Sequence, residues 1–228
     1  IHLKGVKIGD LIYDEYLRRF SKATVQSFNR NLLILIFEFV GLYFKYKRVL
    51  NGQMTSAVLV SHRVGQNSGI MVRVASSIGL DVYSSAGQQY GTLYKTKKYE
   101  NAIVYEYEPT VEEINDLVSL DSFEEQFNVF YEEHILGKFT KDAENAFKKE
   151  AGVLTRKSFL EKYNLDTKKK TVFIMLHAFT DYPHSHFPGV MAFDDFYDWF
   201  LHSVKSLLKN KNVILLIKEH PSASLYKN

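Results

Sequence analysis

The chain has 228 residues, of which 46% are hydrophobic, including 17 Phe and 15 Tyr. That apolar content is ample for a folded core and excludes a disordered chain. The formal net charge is only +3, whereas nucleic-acid-binding proteins carry a concentrated basic face, so we expect no nucleic-acid partner. Because the chain contains no cysteine, disulfides, thiolate metal sites and a cysteine nucleophile are excluded.

Two helices are predicted at the start of the chain. Asp10 is placed to cap a helix that runs to Arg19, with apolar residues at helical spacing. A longer helix is expected from about Val25 to Leu50, ended by Asn51-Gly52. Its most apolar stretch, LLILIFEFVGLYF, has 13 residues including one glutamate, and a membrane span needs roughly 20. A buried helix is therefore the better interpretation.

The next segment predicts a parallel strand–helix–strand unit. Residues 57–61 are apolar and rich in β-branched types, and a polar loop follows them. A helix over about Ser68–Ile78, a capping Gly79 and a strand at Leu80–Tyr83 complete the unit. Beyond it, a strand is expected at 103–107 and helices in two or three pieces over 110–149.

A charged tract at 165–170 predicts a boundary between an N-terminal α/β domain, 1–167, and a second domain, 168–228. The apolar runs Thr171–Leu176 and Val213–Ile217 are predicted to be adjacent parallel strands. A helix capped by Asp194-Asp195 and ending at Leu208 joins them. This is the beginning of a second βαβ unit.

The ends of these two strands carry the sharpest chemical signal. His177 follows the first strand and His220 follows the second, so in one sheet both face the same crevice. Pro221 and Ser222 suit the first turn of a helix, whose N–H groups bind anions. Lys218, His220, Pro221 and Ser222 are thus predicted to hold a nucleotide phosphate. The alternative is that Lys218 and His220 are simply polar residues at a strand end.

The loop after the first of these strands contains three histidines and Asp181 within ten residues. A His-x-His pair can chelate zinc, manganese or iron, but no metal framework is complete, so we expect no metal. In a loop that faces substrate, Asp181 or a histidine such as His177 is a candidate catalytic base. A solvated loop without a role is the alternative.

Polar residues in the N-terminal half form a second group of candidates. Gly9, Asp10 and Arg18 in the first helical segment, and His62, Arg63 and Gly65 after the first clear strand, are assigned to an acceptor or cleft loop. Glycine at Gly65 lets the backbone come close to a ligand. Asp14 is a further candidate base. A solvated helix face and an ordinary loop are the alternatives for the two segments.

Four segments resemble bacterial surface-carbohydrate and capsule polysaccharide biosynthesis proteins. They are GVKIGDLIYDEYLR at 5–18, VFIMLHAFTD at 172–181, FDDFYDW at 193–199 and IKEHPS at 217–222. The His220-Pro221 pair is also similar to that of GT-B glycosyltransferases that use CMP-sugars, in which the histidine contacts the nucleotide phosphate. The resemblance covers both ends of the chain, and the middle is weakly diagnostic.

The resemblance implies an α/β protein of the GT-B fold, with two Rossmann-like domains, the second truncated. The N-terminal domain would bind a glycan or lipid-linked glycan acceptor and the C-terminal domain a nucleotide-sugar donor, with no cofactor or metal. The expected location is the cytoplasm, with peripheral contact at the cytoplasmic face of the inner membrane. We expect the chain to be a fragment cut at both ends and inactive by itself. The alternatives are a non-catalytic polysaccharide-assembly domain, or a sugar-nucleotide epimerase or polyol-phosphate transferase of the same fold.

Overall fold

The computed structural model describes residues 1–52, 54–85, 93–96, 111–135, 155–186 and 192–220. The helices are α1 (Gly9–Arg19), α2 (Arg30–Gly52), α3 (Ile70–Ser77), α4 (Val111–Val118), α5 (Phe123–Ile135), α6 (Arg156–Lys162), α7 (Pro183–His186) and α8 (Phe196–Leu207). The strands are β1 (His2–Leu3), β2 (Val6–Lys7), β3 (Ala57–Val60), β4 (Asp81–Ser84), β5 (Tyr94–Thr96), β6 (Lys170–Met175) and β7 (Val213–Lys218). The predicted mixed α/β class is confirmed.

The chain forms two compact units. The first consists of Ile1–Tyr107 with Phe179–Phe200, and the second of Glu108–Ala178 with Leu201–Asn228. These units do not coincide with the predicted division into residues 1–167 and 168–228, which stays a prediction.

The core of the first unit lies between α1, α2 and α3. Helix α2 contributes Leu35, Phe39 and Tyr43, which recur every four residues and so share one helix face. From α1, Leu11 and Leu17 are fully buried against them. Each such side chain contributes about 1.5–3 kcal/mol through its burial. This packing fixes α1, which carries several of the predicted site residues.

The ends of α1 and α2 differ in part from the sequence prediction. Ile8, not Asp10, occupies the N-cap of α1, and it makes no side-chain capping bond. Helix α2 begins at Arg30 rather than near Val25, because Asn29 caps it: the Asn29 Oδ1 accepts the Leu32 N–H at 3.1 Å. The helix also continues through Asn51 and Gly52 instead of ending before them.

The predicted parallel unit in the first half is confirmed. Strands β3 and β4 pair in parallel, with Val58 beside Val82, and β5 adds an antiparallel strand. A π-helical turn at Gly65–Gly69 precedes α3, so the regular α-helix starts later than predicted. Gly79, with φ of +82°, ends α3 as predicted, since its N–H donates to the Ser76 carbonyl at 3.1 Å.

In the second unit, β6 and β7 pair in parallel, as the sequence predicted. The register runs from Lys170 beside Val213 to Met175 beside Lys218. Helices α4 and α5 confirm the helical prediction for the described part of 110–149. The rest of that stretch and the strand predicted at 103–107 lie outside the described residues. Within the described ranges, no helix has the length and apolarity to cross a membrane.

Candidate functional site

Two histidines meet at the carboxyl ends of β6 and β7. The register places Met175 beside Lys218, so His177 and His220 each lie two residues beyond this last pair. Their ring centroids are 5.5 Å apart with the planes tilted by 41°. Both side chains are half-buried. The predicted neighbourhood of these residues is confirmed, while their role in binding stays a prediction.

The other residues predicted to bind phosphate, Lys218, Pro221 and Ser222, lie within two residues of His220 in the sequence. Lys218 is the last residue of β7 and is exposed at the same end of the strand. The Leu176 N–H donates to the Lys218 carbonyl at 2.9 Å and extends the strand pairing by one bond. Pro221 and Ser222, predicted to begin a helix, lie outside the described residues.

In the first unit, predicted site residues from three separate segments come together. The Arg18 guanidinium on α1 lies 3.7 Å from the Asp181 carboxylate and 4.9 Å from the centre of the Tyr182 ring. Burial, together with the positive charge of Arg18, lowers the pKa of His62 below its usual value, which favours a neutral imidazole near pH 7. The Ser61 hydroxyl lies 2.7 Å from the His62 Nδ1.

The backbone at Gly65 passes close to the side chain of Tyr182, which lies in the same loop as Asp181. Its φ is +77°, in the region that favours glycine. A Cβ atom at this position would lie 3.2 Å from the hydroxyl oxygen of Tyr182. Gly65 therefore allows the turn after β3 to pack against the loop that carries Asp181.

Replacing Gly65 with alanine is expected to lower the free energy of unfolding by about 1–2 kcal/mol, because alanine is strained at positive φ. Gly41 is a matched control, since it lies within α2 and a Cβ there meets nothing within 4 Å. Gly41→Ala should stabilise the protein by about 0.5–1 kcal/mol, as alanine does in helix interiors. Urea denaturation measures both changes, and the same sign for the two variants would contradict this account of Gly65.

Asp14 anchors the short helix α7. Its side chain is fully buried, and its carboxylate accepts the N–H groups of His184 at 3.1 Å and Ser185 at 2.7 Å, as well as the Ser185 hydroxyl. Burial raises its pKa to about 7 against the opposing effect of these hydrogen bonds. A pKa near 7 suits a general base, but a substrate could reach this carboxylate only if α7 moved away. The geometry favours a positioning role, which holds the loop bearing Asp181.

Three residues assigned to the cleft loop have partners inside the fold instead. Both carboxylate oxygens of Asp10 are bound by the Arg73 guanidinium, so Asp10 forms a buried ion pair and does not face a cleft. Gly9 lies against the chain's first residue, and its N–H donates to the Ile1 carbonyl at 3.0 Å. Arg63 is buried, and its Nε donates to the Ser84 hydroxyl at 2.9 Å, which links the ends of β3 and β4.

Sequence reasoning missed Arg73 and Ser185. Arg73 lies in the middle of the apolar helix IMVRVASS, and a charged residue in such a helix is a signal that a buried partner is needed. Ser185 carried no such signal, because it is one polar residue in a polar loop. Its partner Asp14 is 171 positions away in the sequence.

The described residues include no group of three or more His, Asp or Glu side chains placed to hold a metal ion. The predicted absence of a metal stays a prediction. Of the His-x-His pair in the loop, His184 packs edge-on against the Tyr13 ring, with centroids 4.5 Å apart. Burial lowers its pKa, so the imidazole is neutral near pH 7.

The fold thus brings predicted site residues together in two places. One is the His177–His220 pair in the second unit, and the other is the cluster formed in the first unit by the Arg18–Asp181 ion pair together with His62, whose pKa is lowered by burial and by the charge of Arg18. Their chemical roles stay predictions. No protein-family model, curated protein or solved structure matches this chain.

Proposed function

We propose that the chain is part of a GT-B glycosyltransferase that moves a sugar from a nucleotide-sugar to a glycan or lipid-linked acceptor in bacterial surface polysaccharide assembly. The observation that carries the proposal is the His177–His220 pair at the carboxyl ends of two parallel strands. Ligands of open α/β sheets bind at that edge. Two imidazoles there can donate hydrogen bonds to a phosphate, and Lys218 adds a positive charge nearby.

Glycosyl transfer requires a base and a stabilised leaving group. The base removes the proton of an acceptor hydroxyl, and that oxygen forms a bond to the anomeric carbon of the donor. The bond between this carbon and the phosphate oxygen breaks, and the nucleotide phosphate leaves with the electron pair. His220 suits the leaving phosphate, since a hydrogen bond there stabilises the developing charge. Asp181 and His177 are base candidates with partly exposed side chains.

We assign the cluster of Arg18, His62 and Asp181 in the first unit to binding of the acceptor glycan. Arg18 lies over the face of Tyr182 and beside Asp181, so a hydroxyl near this carboxylate would find a base with a fixed position. The loop is held by the buried hydrogen bonds to Asp14. These bonds hold the Asp181 carboxylate in a fixed position, as a catalytic side chain requires.

Helix α2 supports the expected peripheral contact with the inner membrane. One face of the helix exposes large apolar side chains, and basic residues accompany them. The apolar residues are Leu33, Ile34, Phe37 and Phe44, and the basic ones are Arg30, Lys45 and Arg48. A helix with an exposed apolar face and adjacent lysine or arginine is typical of binding to anionic lipid surfaces.

His220→Ala is expected to weaken nucleotide-sugar binding by roughly 10- to 150-fold. The loss corresponds to one charge-assisted hydrogen bond of about 1.5–3 kcal/mol. The fold should survive, because His220 lies beyond the last paired residue of β7. Calorimetric titration of the full chain with CMP-, UDP- and GDP-linked sugars measures the affinity, and circular dichroism checks the fold.

His2→Ala is the matched control, since His2 is an exposed histidine on β1. It should bind the preferred donor as the wild type does. Equal affinity in His220→Ala and wild type would remove His220 from the site. If the wild type binds none of the three donors, the glycosyltransferase proposal is wrong and a non-catalytic assembly domain is favoured.

A further inference from the structure

A cavity of about 370 Å³ lies in the first unit, beside the loop that joins α1 to α2. This volume is at the lower end of the range of small-ligand pockets, roughly 300–1,000 Å³. The residues that matter for its chemistry are Tyr16, Lys22, Thr24, Gln26, Ser27 and Tyr197. None of them belongs to the two groups of site residues described above.

The contacts of Tyr13 determine whether the Thr24 hydroxyl, which lines the cavity, donates or accepts a hydrogen bond toward a ligand. The Tyr13 hydroxyl donates its single proton to the Asp195 carboxylate at 2.7 Å. Its oxygen accepts the Val25 N–H at 3.3 Å, and because its proton is already used it must also accept from the Thr24 hydroxyl at 3.0 Å. Since Thr24 gives its proton to Tyr13, its oxygen presents lone pairs and acts toward a ligand as an acceptor.

The Tyr16 hydroxyl, by contrast, is left to donate a hydrogen bond to a ligand. The Asn29 Oδ1 accepts the Leu32 N–H at 3.1 Å, which orients the amide so that its Nδ2 faces the Tyr16 hydroxyl at 2.7 Å. The Tyr16 oxygen must accept from this NH₂ group, and its own proton is left to donate. The cavity thus offers an acceptor at Thr24 and a donor at Tyr16, a pairing that matches the hydroxyls of a sugar.

The remaining lining supplies an aromatic ring and one charge. The Tyr197 ring packs edge-on against Phe179, with centroids 5.7 Å apart and planes at 83°, so its position is fixed. An aromatic face suits the apolar C–H face of a sugar ring. Lys22 is the one charged residue among the described residues that line the cavity.

We propose that this cavity binds a sugar unit that carries a carboxylate. The sugar ring lies against Tyr197, its hydroxyls bond Thr24 and Tyr16, and its carboxylate faces the Lys22 ammonium. The single Lys22 ammonium can neutralise a carboxylate, whereas a phosphate, with about 1.5–2 charges near pH 7, would keep part of its charge uncompensated beside a lining whose other described residues are uncharged. This inference rests on the proposed function and specifies its acceptor: a glycan that contains a uronic acid or a similar acidic sugar.

Protein-observed NMR titration of the full chain tests the proposal with three probes that share the glucose ring: methyl glucuronide, methyl glucoside and glucose 6-phosphate. The glucuronide is expected to bind about two- to fivefold tighter than the glucoside, as for an exposed ion pair. Glucose 6-phosphate should bind no tighter than the glucuronide. Equal affinities for glucuronide and glucoside, or tightest binding of the phosphate, would overturn the assignment of a carboxylate.

Three substitutions test whether the sugar binds in this cavity. Lys22→Met should abolish the preference for glucuronide and leave glucoside binding unchanged, whereas Tyr197→Ala should weaken both by roughly tenfold. Lys209→Met, which removes an exposed lysine in the turn after α8, is the control and should bind like the wild type. If Lys22→Met keeps the preference, or Tyr197→Ala keeps the affinity, the sugar does not bind in this cavity.

The failure of this inference can be told apart from the failure of the proposed function. Nucleotide-sugar titrations test the His177–His220 pair and involve none of the cavity residues. If the chain binds nucleotide-sugars but no glucuronide, only the proposal for the cavity is wrong. If the chain binds glucuronide in a Lys22-dependent way but binds no nucleotide-sugar, the acidic-sugar site is supported and the glycosyltransferase proposal is wrong.

Discussion

Asp10→Ala is expected to lower the free energy of unfolding by about 3–5 kcal/mol, the cost of leaving one member of a buried ion pair without its partner. Arg73 is fully buried, and its two terminal nitrogens lie 2.6 and 2.8 Å from the two Asp10 oxygens. Burial raises the pKa of Asp10, but the hydrogen bonds and charge of Arg73 outweigh it, so the net shift is downward. In the variant, the guanidinium loses both bonds to Asp10 and keeps its bond to the Lys7 carbonyl, at 2.8 Å.

Urea denaturation measures this loss. Arg73→Met should destabilise the protein to a similar extent, and the double variant Asp10→Leu/Arg73→Met should lose less than the two single changes together, because no unpaired charge remains. The control is Lys95→Met, which breaks an exposed ion pair to Asp81 of comparable length, 2.7 Å. Its unfolding midpoint should stay close to that of the wild type. A loss in Asp10→Ala no larger than in Lys95→Met contradicts the structural role of the pair.

Stability is expected to fall as the pH rises from about 4 to 7, through the titration of Asp14. The folded protein holds this proton up to a pKa of about 7, whereas the unfolded chain loses it near 3.8. Between these values the folded state binds more protons, so each rise in pH disfavours folding. The contribution is fully present below pH 3.8, is lost by about pH 7, and amounts to roughly 4 kcal/mol.

Asp14→Asn isolates this contribution, since asparagine does not titrate. Denaturation of both proteins at several pH values gives two stability curves, and the wild-type curve should decline more steeply between pH 4 and 7. Only the difference in slope is compared, because the amide also changes the hydrogen bonds to Ser185 and His184. Parallel curves would show that Asp14 has an ordinary pKa in the folded protein.

Local patterns in the sequence were sufficient for much of the fold. The helix that ends at Arg19, the parallel strand pairs and the turn at Gly79 were all predicted from residues close together in the chain. Asp195 caps α8 as predicted, since its Oδ1 accepts the Asp198 N–H at 2.8 Å. The meeting of His177 and His220 could also be predicted, because strand ends meet wherever two parallel strands pair in register.

Only the tertiary structure decided the roles of the acidic residues on α1. Asp10 was assigned to a helix cap and a cleft, yet its partner Arg73 lies 63 positions away. Asp14 was a candidate base, yet it binds Ser185, 171 positions away. Helix capping and periodicity depend on neighbours within about four residues, so they specify the helix but not what its polar residues meet. Burial and the partner brought by the fold determine whether a carboxylate forms an ion pair, anchors a loop or remains available to substrate.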